Sequence, residues 1–311
     1  DALPISEQKS DRRKPVVGRA SGKERGMKKQ KSPGDRIFIS MVYVLMGLMG
    51  LICLYPMWHV VMASFSDPIE LMRHTGVILK PLGFSLEGYR VVIENPNILP
   101  SYFNTIVYVL VGTAINMFLT ILGAYALSRK GFMLKRPLTL LIVFTMYFNA
   151  GLIPNFLLVK GLGLYNTIWA LVLPGAISTW NLIVMKTSFQ SIPVSLEESA
   201  RLDGANDFVI LFKIILPLSK ATMAVMVLFY AVAHWSSWFN AMIYLRDKSK
   251  FPLQLVMREI LIANSSGGNS MMDTDAMFLE EIVKYSTIVV ATVPILFIYP
   301  FAQKYFMRSE E

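Results

Sequence analysis

Four carboxylates, Glu197, Glu198, Asp203 and Asp207, fall inside the stretch Ser195–Pro217, which lies between two long apolar segments and holds one glycine, Gly204. Their chemistry is that of helix caps and partner contacts. Ser195 and Glu198 stand three apart, the spacing of a capping box in which each side chain satisfies a free amide of the first turn. Pro193 cannot lie in a helix interior and marks the approach to that start. The spacing predicts a first helix over 196–203, ended at Gly204 because glycine enters the left-handed conformation without steric cost. Asn206 or Asp207 then caps a second helix leading to Ile214, Leu216 and Pro217. The elements that position these residues are a short helix, a glycine turn and another helix, set on a membrane surface as an acidic and apolar knob.

Glu198-Ser199-Ala200, then Gly204 after three residues, then Ile214-x-Leu216-Pro217 after nine more, resembles the EAA loop of binding-protein-dependent ABC importer permeases. Ser199 stands where that family usually has alanine, a small-for-small exchange. The stretches Ile153-Pro154-Asn155-Phe156, Gly161 to Thr167, Trp235 to Asn240 and Pro252 to Leu255 are similar to maltose-type (MalG-like) carbohydrate permeases, including the LplC-like branch. The likeness covers about residues 35–308. It departs at Ser236-Ser237-Trp238, where the family usually has a Trp-Asn-Asp run. The resemblance implies an all-α polytopic membrane protein, a six-helix ABC importer type I permease with a cytoplasmic coupling loop at about 188–217. It further implies a second homologous permease, two separate ATPase subunits that hold the ATP and Mg, and an extracellular solute-binding lipoprotein. No cofactor is expected on this chain.

Composition agrees. Of 311 residues, 54% are hydrophobic and 16% charged, against roughly 25% charged in soluble domains. The net charge of +9 is concentrated at the start, where residues 1–36 hold eleven Lys or Arg against five Asp or Glu. Such a tail suits nucleic acid, but a positive flank retained on the cytoplasmic side explains it more simply; no nucleic-acid partner is expected. Residues 1–36 read as a disordered basic tail. Met27 looks like a natural start, so 1–26 are excluded from fold reasoning as a possible extension. A single cysteine, Cys53, precludes an intrachain disulfide. The scattered histidines give no metal spacing. No P-loop, G-x-S-x-G or H-E-x-x-H pattern occurs, so the chain is read as a non-enzyme.

Six apolar segments, at about 37–60, 103–127, 137–157, 165–186, 219–243 and 286–306, approach the roughly 20 residues that cross a hydrocarbon core. Backbone groups must be satisfied internally in lipid, so these are expected to be helices within one permease domain, 37–308. Arg129, Lys130, Lys135 and Arg136 follow the second segment, and Lys186, Arg201, Lys213 and Lys220 surround the acidic loop. The chain is therefore expected in the plasma membrane with both termini and the Glu198 loop cytoplasmic. The run Leu253–Ile262 either lies along the membrane surface or covers the external helix ends.

A docking knob needs small residues where backbones approach, which Ser199, Ala200 and Gly204 provide, and apolar anchors, for which Leu202 and Phe208 are candidates. Glu198 either caps its helix or pairs with a basic partner residue; Arg201 and Asp203 are either rim charges or a solvated helix face, and Pro217 closes the signature. Candidates for a translocation pathway are Asn149, Asn181, His234, Trp235, Trp238 and Asn240, because amides and aromatic faces suit sugar hydroxyls and C–H faces. Polar groups in membranes also serve helix–helix hydrogen bonding, and tryptophans form interfacial belts. Pro174, Pro294 and Pro300 mark kinks in the fourth and sixth segments. Two rival classes, an ion-coupled secondary carrier and a non-transporting scaffold, stay open on sequence; the former usually needs ionisable groups within its spans.

Overall fold

A computed structural model describes residues 33–129, 131–148, 150–266 and 281–296. Among them every regular element is helical, and the sole strand-like feature is an isolated bridge between Ser66 and Phe84. One compact unit ends at Cys53 and a second begins at Leu54.

Helix α1 (Pro33–Ser64) opens the described chain. Its most apolar window is wholly unburied, so its first half is apolar all round, the pattern of a helix meant for lipid or another chain. In the second unit, short helices α2 (Pro68–Arg73) and α3 (Glu87–Glu94) lead to α4 (Ile98–Ser128). Asp67 caps α2 by accepting from the amides of Ile69 and Glu70. Pro100 falls in the first turn of α4, where its missing N–H does no harm.

The predicted third to fifth segments are helical but interrupted. Helices α5 (Lys135–Tyr147) and α6 (Leu152–Gly161) bend by 118°. The fourth segment divides into α7 (Trp169–Val172) and α8 (Thr179–Ser191) around Pro174-Gly175. Helices α9 (Val194–Leu202), α10 (Asp207–Ile210) and α11 (Leu216–Leu218) form the acidic loop, with a π-helical turn at Leu211–Ile215. The fifth segment divides into α12 (Lys220–Trp235) and α13 (Trp238–Tyr244), and α14 (Leu253–Ser266) follows. Residues 281–296 are helical and include Pro294; the rest of the sixth segment, with Pro300, lies outside the described residues. Among the described residues two helices are long and apolar enough to span a membrane, up to four if each bent pair is one span.

Helix α4 is the centre of the packing. One core cluster joins its Met117 and Leu127 to Met185 and Phe189 of α8 and to Met226 and Tyr230 of α12. A second cluster gathers Tyr108, Trp235, Leu253, Val256 and Ala291. Leu253, Leu255, Val256 and Met257 of α14 are buried, so that helix packs as a cover on its neighbours.

The break between α7 and α8 exposes backbone groups that would be costly unpaired in a dry interior. Asn116 of α4 donates to the carbonyls of Gly175 (2.7 Å) and Ala176 (3.1 Å). The Tyr230 hydroxyl accepts from the Ser178 amide at 3.1 Å and lies 2.7 Å from Thr120 Oγ1. His234 Nε2 stands 2.8 Å from Asn116 Oδ1; as the Asn116 amide already donates to both carbonyls, the imidazole is the donor. Gly112 makes this possible, since a Cβ there would lie 2.7 Å from the ring Cδ2 and closer still to Nε2. Gly112→Ala therefore displaces His234 and orphans a carbonyl oxygen of a buried amide. Overpacking costs about 1–3 kcal/mol, more than alanine's helix advantage of about 1 kcal/mol. Its melting temperature in detergent is expected below the wild type; an equal or higher one sinks this account of the clamp.

Candidate functional site: the coupling elbow and the central cavity

The predicted capping box does not form. Helix α9 begins at Val194 with Pro193 as its N-cap, and no side chain caps it. The earlier start places Ser195 inside the first turn, where its backbone is helical and cannot present the hydroxyl as a cap. Glu198 is consequently exposed. Its neighbour Glu197, singled out for no role by the sequence, is the anchored one.

Glu197 pairs with Arg129, the residue that ends α4, both side chains being mostly buried at 14% and 17% exposure. Its other oxygen takes Arg201 Nη2 at 3.0 Å, one turn along the same helix. Arg201 also pairs with Asp207 at the start of α10, and Asp207 accepts from the Tyr125 hydroxyl of α4 at 3.3 Å. Arg129 lies 4.9 Å over the Tyr125 ring and donates to the Phe189 carbonyl of α8 at 3.3 Å. The hydrogen bond to Glu197, then that to Asp207, push the Arg201 guanidinium above its already high range, so it stays charged. These groups border a cavity of about 760 Å³ that also takes in Lys135 and Glu198. The signal that could have found them was the i,i+4 spacing of Glu197 and Arg201. The link to Arg129, 68 residues away, was not available locally.

The turn itself follows expectation. Gly204 has φ +81°. Its N–H bonds to the Arg201 carbonyl (3.0 Å) and that of Ala205 to Ala200 (2.9 Å), the paired bonds of a Schellman motif. Asn206, of the two caps considered, accepts from the Val209 amide at 2.9 Å. Beyond it the segment turns inward, and Ile210, Leu211 and Ile215 are 0–1% exposed in the cluster shared by α4, α8 and α12. Leu202 is 90% exposed and Phe208 66%. Ser199 and Asp203 are also exposed, Ala200 is half-buried, and Pro217 lies on the exposed side of α11. Pro217 lacks an N–H for the helical ladder. The preceding π turn, in which Leu216 donates to Leu211, sets the register before it. The chain then turns by 85° into α12.

Four pathway candidates come together. Asn181, His234, Trp235 and Asn240 line one cavity of about 750 Å³ beside the unwound Gly175–Ser178 backbone, with Asn116 and Tyr230. Trp235 is buried, and its indole N–H reaches the Ala291 carbonyl at 3.3 Å. Trp238 lines a different, smaller cavity. Asn149 lies outside the described residues. Asn104 donates to the carbonyls of Ser249 and Phe251, and Thr105 accepts from the Leu253 amide at 2.8 Å. Both therefore hold structure together. Thr113, buried on α4, was not singled out, and its hydroxyl has no partner among the described residues.

Because Glu197 is the tether, Glu197→Gln should loosen α9 whereas Glu198→Gln should not. Losing a charge-assisted hydrogen bond costs about 1.5–3 kcal/mol, so amide exchange across Val194–Leu202 should rise about tenfold or more. Equal exchange in the two variants would remove Glu197 from this role.

Comparison with known proteins supplies the family. The family described as "Binding-protein-dependent transport system inner membrane component" matches residues 116–309. The Bacillus subtilis (strain 168) polygalacturonan/rhamnogalacturonan transport system permease protein YtcP is 44% identical over 277 residues, 88% of this chain and 96% of its own. Protein LplC of the same organism is 39% identical, covering 88% and 93%. In the crystal structure of a bacterial ABC transporter involved in the import of the acidic polysaccharide alginate, one chain is 34% identical with a TM-score of 0.81, covering 88% of this chain and 98% of that one. With its all-helical fold, its apolar spans and its acidic elbow, the chain belongs to the inner-membrane permease components of binding-protein-dependent ABC transport systems.

Proposed function

We propose that this permease passes a carbohydrate, delivered by an extracellular binding protein, through a membrane path driven by separate ATPase subunits. The observation that carries the reading is the two-sided elbow. Leu202 and Phe208 stand exposed on either side of the Gly204 turn, while Ile210, Leu211 and Ile215 a few residues on are sealed in the bundle core. A few buried apolar anchors dominate interface energy, and here two are presented on a frame fixed from behind. Glu198, Ser199, Ala200 and Asp203 form the rim around them, and Pro217 fixes where the elbow rejoins the bundle. The ATP and its Mg sit on the two partner ATPases; this chain performs no covalent step.

The relatives support the cargo class. One is named for polygalacturonan and rhamnogalacturonan transport, another for import of alginate. The path runs past the cavity lined by Asn181, His234, Trp235 and Asn240, whose mixed amide and aromatic walls suit a sugar. Irregular backbone at membrane depth occurs where it lines a cavity, and the Gly175–Ser178 break does so here. A second homologous permease completes the path, and α1, apolar all round in its first half, offers surface for lipid or for that subunit. The basic amino-terminal flank and the basic residues around the elbow set both termini and the elbow in the cytoplasm.

Two measurements test this. Uptake of sugar by cells carrying the complete system should collapse when the partner ATPase is inactivated and survive an uncoupler; loss under the uncoupler alone would reveal a secondary carrier, and unchanged uptake after deletion a scaffold. Separately, Gly204→Leu forces a side chain into a positive-φ backbone, a strain of about 1–3 kcal/mol. Among the described residues, the flanking ones aside, no atom lies within 4 Å of the new Cβ, so the variant should insert normally yet lose association with the ATPase. Normal association in pull-down, with normal transport, would dismiss the docking assignment.

A further inference from the structure

Trp238 does not face the central cavity. It lines a smaller one of about 240 Å³, walled by α13, α14 and the helical stretch 281–296, whose polar lining includes Gln254, Arg258, Thr287 and Thr292. That is space for several waters, at about 30 Å³ each in the liquid, or for one pyranose ring. The Arg258 guanidinium carbon stands 4.4 Å above the Trp238 ring. Stacking of this kind holds the planar fork in one orientation before any ligand arrives.

The donors in this cavity are poorly matched by acceptors. Arg258 Nη1 reaches, among the described residues, only the Met242 sulfur, at 2.9 Å, and a thioether is a weak acceptor. Among the described residues no carboxylate lies within ion-pair distance of Arg258. Thr287 is 0% exposed, and its hydroxyl has no hydrogen-bond partner among the described residues. A helical threonine usually bonds back to the carbonyl one turn earlier, as Thr292 does to Ile288 at 2.7 Å; Thr287 does not. An oriented guanidinium fork, an unused buried hydroxyl and an amide surround a space with an indole on one wall. The complementary ligand is a planar anion carried on a ring whose C–H edge can lie against an aromatic.

We infer that this cavity is a subsite for one carboxylated sugar unit, a uronate, whose carboxylate pairs with the Arg258 fork while Thr287 and Gln254 bond its remaining oxygens. The inference rests on the carbohydrate reading above and adds selectivity for acidic over neutral cargo. A neutral unit leaves the guanidinium unpaired, and a site built for a polar group discriminates strongly against a ligand that lacks it.

The test uses the assembled transporter, this chain with its permease partner, ATPases and binding protein, in proteoliposomes. Initial uptake of trigalacturonate is compared with that of a neutral trisaccharide, and binding-protein-stimulated ATP hydrolysis reports assembly. Arg258→Gln should lower trigalacturonate uptake at least about tenfold and leave neutral uptake and stimulated hydrolysis near wild type. Thr287→Val, close to isosteric, should give a smaller loss confined to the acidic sugar. Equal loss for both sugars makes Arg258 a clip between α13 and α14 and overturns the subsite, as does no loss. If Arg258→Gln fails to assemble, Arg258→Lys decides: it keeps the charge and loses the fork, so a selective loss supports the subsite and an unselective one or none overturns it. A wild-type complex that imports neutral sugars but no uronate overturns the subsite alone. One that imports no sugar overturns the carbohydrate reading with it.

Discussion

A peptide group inside hydrocarbon has no water to turn to, and each one left unpaired costs several kcal/mol. This protein meets that demand where the chain unwinds between α7 and α8, alongside the packed helices α4 and α12. Side chains of α4 and α12 take over the role of the missing helical bonds: Asn116 holds two carbonyls, and Tyr230 holds an amide. With those groups satisfied, the interruption is stable enough to border a cavity. The same helix α4 fastens the 249–253 segment through Asn104, Thr105 and Tyr108 near its start, and the elbow through Arg129 at its end.

In the proposed function, that arrangement gives the exposed knob a firm connection to the bundle. The elbow is held by two kinds of interaction. Arg129, Glu197, Arg201 and Asp207 form a chain of ion pairs on its near side, and Ile210, Leu211 and Ile215 enter the core on its far side. Close-packed cores transmit displacement because they have little room to yield. The ion pairs add direction more than stability: the Arg201–Asp207 pair is exposed, where water and salt screen the attraction. Glu197 with Arg129 is better shielded, and breaking it leaves a charge with less water to replace its partner.

Much of this was legible in the chain. The Gly204 turn and a cap at Asn206 or Asp207 follow from local rules on glycine and capping, and the structure has the turn in place and Asn206 as the cap; Leu202 and Phe208, named as candidate anchors, are exposed. The capping box failed because helix α9 starts earlier than the Ser195–Glu198 spacing demanded, a boundary decided by Pro193. Among the described residues the first five apolar segments are helical where hydropathy put them, but hydropathy sums side chains and is blind to a backbone break such as Gly175–Ser178. Arg129 was noticed as a topogenic charge and not as a tether, since its partner is remote in sequence. Asn116 and Asn181 look alike as amides in apolar runs and both line the cavity; only the fold shows that Asn116 also bonds the broken backbone.

The π turn at Leu211–Ile215 carries a consequence for helical phase. A π turn holds one residue more than the α-helix it interrupts, so every side chain before it is rotated by about 100° relative to an unbroken 3.6-residue count from Pro217. Phe208, on the helix that runs directly into the π turn, thus owes its outward aim partly to a surplus residue three to seven positions away. Removing that residue would leave composition and hydropathy almost unaltered while turning the whole knob to a different compass bearing.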